Sequence, residues 1–172
     1  MRIAWDSLRW FVGGRVGAFG FDGYAITPRL EMVWASFVTL HRGGMLRGCI
    51  GALVAEGPIY RSVHANAVKA ASRDPRFEAL GAEELAGLEV SVSILSPVEV
   101  IPSLAEFRVG EQGLILEKDG KGSVFLPEVA VEQGWGREET VAQLCRKAGL
   151  PVEAWREGAV FKVFSSAVLS RA

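Results

Sequence analysis

From Ser36 onward the apolar positions fall into runs whose period switches between that of a strand and that of a helix. Phe37-Val38-Thr39-Leu40-His41 is β-branched and aromatic, which predicts a strand. Arg42-Gly43-Gly44 predicts a turn, and residues 45–53 the returning strand of a hairpin. Gly57-Pro58 opens a helix with proline at its start. Ile59, Val63, Ala67 and Ala70 recur at helical spacing, and their small average size lets that helix lie close on a sheet. Asp74-Pro75 ends it, because a residue before proline avoids the helical region. One or two helical turns follow at residues 83–86. Residues 88–95 then alternate, with Val90, Val92 and Ile94 inward and Glu89, Ser91 and Ser93 on the other face.

A connector at residues 97–110, holding Pro97 and Pro102, leads into the same order again. Residues 113–118 predict a strand, Asp119-Gly120-Lys121-Gly122 a turn, and residues 123–126 a strand. Residues 137–148 predict a helix with Val141, Leu144, Cys145 and Ala148 on its buried stripe. Glu138 and Glu139 at its start and Arg146 and Lys147 at its end suit the helix dipole. Gly149 stops it, Pro151 follows, and residues 159–165 form a closing strand. Hairpin, helix and strand therefore occur twice. Hairpins imply antiparallel pairing, so the expected fold class is α+β: a mainly antiparallel sheet with helices packed on it, in two related halves. The expected organisation is a single domain over residues 1–172, with an N-terminal arm (1–35), a first half (36–97) and a second half (111–168). In the arm, Leu8, Phe11 and Val12 suit one face of a short helix capped by Asp6 or Ser7. Gly13, Gly14, Gly17, Gly20 and Gly23 then break any pattern, leaving an irregular segment that packs Trp5, Trp10 and Trp34 onto the body.

Composition narrows the class without choosing a function. The chain has 172 residues, 49% of them hydrophobic and 23% charged, which is ordinary for a domain with one sizeable core. A net charge of −1 gives no broad electrostatic footprint for nucleic acid or a membrane surface, and neither is an expected partner. Phe37, Phe125 and Phe161 read as internal and not as a base-stacking face. The two cysteines, Cys49 and Cys145, share no short spacing, which argues for reduced thiols and a cytoplasmic setting. The first residues do not read as a signal peptide, and no uninterrupted apolar run has the length of a membrane span.

Candidate chemistry concentrates in Gly44-Met45-Leu46-Arg47-Gly48-Cys49-Ile50-Gly51. Glycine weakens a regular strand, so this density marks a close approach of another backbone or a ligand, or a bulge that re-aims side chains. On a regular strand Arg47 and Cys49 share one face, and Leu46 and Ile50 the other. A guanidinium beside a thiol favours the thiolate and also holds anions, making Cys49 a candidate nucleophile and Arg47 its helper. A cysteine enzyme usually uses a histidine base, and only His41 and His64 exist here. The competing reading of Cys49 is a small packed side chain, and that of Arg47 a structural ion pair with Asp74 or a glutamate. Arg76, in Asp74-Pro75-Arg76-Phe77, either joins Arg47 in an anion pocket or contacts Asp74 at the helix stop. Glu128 and Glu132 stand between a strand and a helix, as acid–base candidates or as solvated carboxylates. The binding set is thus Arg47, Gly48, Cys49, Gly51, Asp74, Arg76 and Glu128, with Cys49 and Arg47 as catalytic candidates. Phosphate-loop, dinucleotide and His–Glu metal motifs are missing, and no cofactor or metal is expected.

Phe37-Val38-Thr39-Leu40, Leu46-Arg47-Gly48-Cys49-Ile50-Gly51, Asp74-Pro75-Arg76-Phe77, Val90-Ser91-Val92-Ser93-Ile94-Leu95-Ser96-Pro97, Leu126-Pro127 and Lys147-Ala148-Gly149-Leu150 occur in that order. In this the chain resembles the AMMECR domain family, over roughly residues 28–168. The resemblance implies an α+β fold of two related halves, a cytoplasmic or nuclear protein, and no established reaction. It also implies, for microbial members, a shared pathway or complex with a Memo-like protein and a radical S-adenosylmethionine protein. The chain departs from the family where Gln112 replaces a frequent histidine and Glu128 a frequent glutamine; a family chemistry that used that histidine would be missing here. The leading functional expectation is a binding or adaptor module whose site at residues 46–51 takes an unknown protein partner or a small anionic ligand. The alternative is an enzyme using Cys49 and Arg47 on a small anionic or nucleotide-like substrate. A third reading is architectural, with Gly48 and Gly51 letting a neighbouring element touch the sheet. The apolar last strand would also allow a homodimer.

Overall fold

Gly43 and Gly44 take positive φ (57° and 76°), as a two-residue hairpin turn requires. They join β1 (Ala35–Arg42) to β2 (Met45–Gly51). This hairpin seeds the first of two units into which the chain divides: Met1–Leu95 with the chain from Ala167, and Ser96–Ser166. The structure is a computed structural model and describes residues 1–171.

In the first unit β1 is central, antiparallel to β2 on one side and to β3 (Leu88–Leu95) on the other. Val38 and Leu40 of β1 and Val90 and Val92 of β3 are buried against α3 (Ile59–Ser72), which presents Val63, Ala67, Ala70 and Ala71. Pro58 is the residue before that helix, and Arg73 ends it. A second layer is α1 (Arg2–Val12), which stacks on α3 through Ile3, Ala4 and Leu8. Here the expected cap is corrected. Asp6 and Ser7 lie within α1, not ahead of it. Ser7 is fully buried and its hydroxyl donates to Ile3 O, while Asp6 pairs with Arg2 and Arg9 and accepts from the Tyr24 hydroxyl. A buried serine on the packed face hides the helical stripe from a hydrophobicity reading. A one-turn helix, α2 (Pro28–Glu31), follows the glycine-rich segment. On β3 the alternation is also blurred: Ser93 is buried opposite its cross-strand partner Phe37, and Ile94 is only half-buried.

The second unit repeats the plan with β5 (Gln112–Lys118), β6 (Lys121–Phe125), α5 (Arg137–Lys147) and β7 (Val160–Arg171), the last crossing into the first unit at Ala167. β5 pairs antiparallel with β6 and with β7, as β1 does with β2 and β3. Its core joins Phe107, Leu114, Leu116, Val141, Leu144, Cys145, Phe161 and Val163. Several expectations are refined. The connector contains β4 (Glu99–Ile101), which pairs with β7, and a 3-10 turn at Leu104–Glu106. The second hairpin turns on Asp119 and Gly120 alone (φ 50° and 74°), so β6 starts at Lys121. Residues 127–132 form α4 (Pro127–Glu132), and β7 runs past residue 165. All the strand pairs with described registers are antiparallel. Among the described residues, no helix is long and apolar enough to cross a membrane.

Candidate functional site

The glycine-rich strand β2 carries a bulge. Leu40 pairs with Gly48 and His41 with Leu46, so Arg47 stands opposite no residue of β1. The extra residue re-aims the arginine, which a strictly alternating strand would have kept in step with Cys49. Gly48 faces α3 at backbone distance: a Cβ there would lie 2.3 Å from Ala70 O. A Cβ on Gly51 would meet the Phe37 ring at 2.3 Å and Ser36 O at 2.5 Å. Both glycines are therefore required by packing, one by the helix and one by a cross-strand aromatic that covers the strand. Gly113 opposite Phe164 repeats the second device in the other unit.

Two carboxylates organise what surrounds β2. Asp74 is almost fully buried just beyond α3. It accepts the Cys49 backbone N–H (2.8 Å), the Arg76 N–H (3.1 Å), and the Arg76 guanidinium through Nε (2.9 Å) and Nη2 (2.7 Å). The Arg76 guanidinium is the main cause holding the Asp74 carboxyl far below the usual carboxylate range, against burial, which opposes ionisation. Glu84 takes Arg47 in a fork, Nε at 2.7 Å and Nη2 at 2.8 Å, and accepts the Gly81 N–H at 2.9 Å. Arg47, first, and then that N–H pull Glu84 down to about 2. The third nitrogen of Arg47 donates to Glu78 O at 3.0 Å. Both guanidinium groups lie over the Phe77 ring, 5.8 Å away for Arg47 and 5.5 Å for Arg76.

The sequence-derived residues thus separate. Asp74, Arg76 and Cys49 share one network, which gives the Asp–Arg contact at the helix stop. Arg47 belongs to a second network with Glu84, the glutamate ion pair named among its alternatives. The Cys49 thiol is half-buried, with the Thr39 hydroxyl 3.2 Å away, and Thr39 is its Cα partner on β1. His64 bonds instead to the Ser7 hydroxyl (2.8 Å) and stacks on Phe19 at 4.2 Å, and burial lowers its pKa. His41 sits at the bulge, opposite Leu46. Glu128 lies on α4, in the second unit, whereas the residues of both networks belong to the first. Cys145 is buried in that unit's core, and burial pushes its thiol up. Glu84, Thr39 and the capping role of the Gly81 N–H escaped the sequence reading. A glutamate in a short acidic turn carries no local sign of a partner 37 positions away. Among the described residues, no three His, Cys, Asp or Glu side chains gather as a metal site.

Comparison with known proteins places this arrangement. The AMMECR1 family model matches residues 2–169. A Pyrococcus furiosus protein is 41% identical over 140 residues, covering 76% of this chain and 67% of that one. A Thermococcus kodakarensis protein is 43% identical over 129 residues, covering 69% and 63%. The matched stretch is thus about two thirds of each relative's length. The crystal structure of an uncharacterized protein from Pyrococcus horikoshii superposes with a TM-score of 0.88 at 32% identity, covering 99% of this chain and 88% of that one.

Proposed function

The chain belongs to the AMMECR1 family, and on that premise we propose that it is a binding module whose ligand or partner surface lies around residues 46–51 and reads an anionic group through Arg76. One observation carries this reading. Buried Asp74 grips the Nε and Nη2 side of the guanidinium, while the Arg76 side chain stays 54% exposed. Its Nη1 has no protein partner among the described residues. A guanidinium already fixed in position loses little freedom when a carboxylate or phosphate docks on its open edge. Phe77 supplies an apolar floor, and the Cys49 backbone N–H is held by the same Asp74 carboxylate that fixes Arg76. Arg47, with Nε, Nη1 and Nη2 all engaged, acts as a support and not as the gripping residue.

The enzyme reading requires a group that takes the thiol proton, and a threonine hydroxyl is a poor one. Alkylation in a Cys145→Ala background separates the two readings. Binding predicts that iodoacetamide modifies Cys49 no faster than a free thiol. It also predicts that the rate ratio of anionic iodoacetate to neutral iodoacetamide falls several-fold, roughly threefold or more, in Arg76→Gln and stays near wild type in Arg76→Lys. A ratio untouched by Arg76→Gln refutes anion reading at this surface. An iodoacetamide rate with a midpoint well below about 8.5 would instead favour a catalytic thiolate.

A further inference from the structure

Away from Cys49, a cleft of about 300 Å³ runs along α3 beside the end of β2, bordered by Gly51 and Glu56 and by Arg61, Ser62, Asn66 and Lys69 of the helix. Asn66 is the unusual member. Only 6% of it is exposed, and Nδ2 donates to Ser36 O at 2.9 Å and to the Ser36 hydroxyl at 3.1 Å. Because Ser36 O can only accept, the amide orientation is settled: Nδ2 faces the strand and Oδ1 faces the other way. Oδ1 has no donor among the described residues and is not sealed off from solvent.

The charged groups around it are of both signs. Lys69 makes no ion pair among the described residues. Arg61 spends Nε on the Tyr60 hydroxyl (3.0 Å) and stacks over Tyr60 and Phe21, leaving its two terminal nitrogens without described partners. Arg61 and Lys69 lie eight positions apart on the same helix, about 12 Å along its axis. Both residues border the cleft, one toward each end of that distance. Glu56 contributes a carboxylate to the wall. The cleft therefore offers two cationic donors together with two acceptors, Glu56 and Asn66 Oδ1. A ligand that covers Oδ1 must donate to it, or the amide loses its hydrogen bond to water without replacement.

We infer that this cleft binds a small oxyanion that also carries hydroxyl or amine donors, such as the phosphate ester or carboxylate of a polyol, with Arg61 and Lys69 on the anion and Asn66 Oδ1 and Glu56 on the donors. The size suits a metabolite smaller than a dinucleotide. The cleft borders Gly51 at the end of the same strand but uses none of the Cys49, Asp74 or Arg76 contacts, so its test is independent of the anion reading proposed for Arg76.

The test is a titration of the isotope-labelled full chain, following amide resonances, with glycerol 3-phosphate, glycerate, inorganic phosphate and glycerol as separate probes. The expected result is that glycerol 3-phosphate or glycerate shifts the Ser62, Asn66 and Lys69 signals, including the Asn66 side-chain amide. Whichever of the two binds more tightly identifies the oxyanion. Glycerol alone gives no shift, and inorganic phosphate binds more weakly than glycerol 3-phosphate. Arg61→Gln and Lys69→Gln, both surface changes, each weaken binding by about tenfold, as loss of a charge-assisted hydrogen bond demands. Absence of shifts with both anionic probes overturns the inference, as does binding unchanged in both variants. Inorganic phosphate binding as tightly as glycerol 3-phosphate would overturn the donor role given to Asn66 and Glu56.

Discussion

Replacing Gly48 by alanine places a methyl group 2.3 Å from Ala70 O, where ordinary contact begins at 3.4 Å. Strand β2 and helix α3 must therefore separate by about 1 Å at this point. The obstructing atom is backbone, so no side-chain rotation relieves the clash. The surroundings do not yield either: Ala67, Ala70 and Ala71 on the helix and Val38 and Leu40 on β1 are essentially inaccessible to solvent. Overpacking a filled core costs roughly 1–3 kcal/mol, and a backbone obstruction belongs at or above the upper end, about 3 kcal/mol. For a chain of this length that lowers the melting temperature by about 6–12 °C. Circular dichroism melts of Gly48→Ala and wild type measure it. Gly57→Ala is the matched control, since a Cβ there meets nothing within 4 Å and its φ is not positive. That control should melt within about 2 °C of wild type, or slightly higher through lost unfolded-state entropy. A Gly48→Ala protein that melts as wild type does would refute the claim that Gly48 is there for the helix.

Gly51→Ala should destabilise through the Phe37 ring, and the loss should shrink by more than about 1 kcal/mol in a Phe37→Ala background. Some cost persists because Ser36 O is also close, and strict additivity of the two changes in urea melts would argue against the ring clash. Asp74 and Glu84 both ionise at lower pH in the fold than in the unfolded chain. Below their ordinary range the unfolded chain therefore binds more protons, and stability present at neutral pH is lost as pH falls. Arg47→Gln should flatten that loss between 4.5 and about 2, the window of Glu84; parallel stability–pH curves for variant and wild type would contradict it. His64 should titrate in the native protein with a midpoint below 6.5, because burial disfavours its charged form. The same sign means that stability declines as pH drops through 6.5, and a ring-proton NMR midpoint at or above that value would exclude the buried environment described.

Local periodicity was enough to read much of the fold. Residues 88–95 appear as the strand Leu88–Leu95, and Ile59, Val63, Ala67 and Ala70 all turn inward on α3. Gly43-Gly44 announces its hairpin because few other residues tolerate two successive positive φ angles. The misreadings have equally specific causes. α4 has only six residues, too short for a helical stripe to declare itself, and it follows directly on the Leu126-Pro127 step. β4 is a three-residue strand whose existence depends on pairing with β7, some 60 positions away. The true start of α1 is obscured because buried Ser7 reads as polar.

The sequence by itself determined the α+β class, the doubled hairpin–helix–strand order, and the segments in which glycine, arginine, cysteine and aspartate are concentrated. Period and turn chemistry act over a few residues, so they can be read along the chain. Which charge meets which was decided only by the tertiary structure. The bulge at Arg47 turned that side chain toward Glu84, and the end of α3 brought Asp74 beneath the Cys49 N–H, 25 positions back. An ion pair's strength depends on distance, burial and fork geometry, and none of these exists until the helix has settled on Gly48.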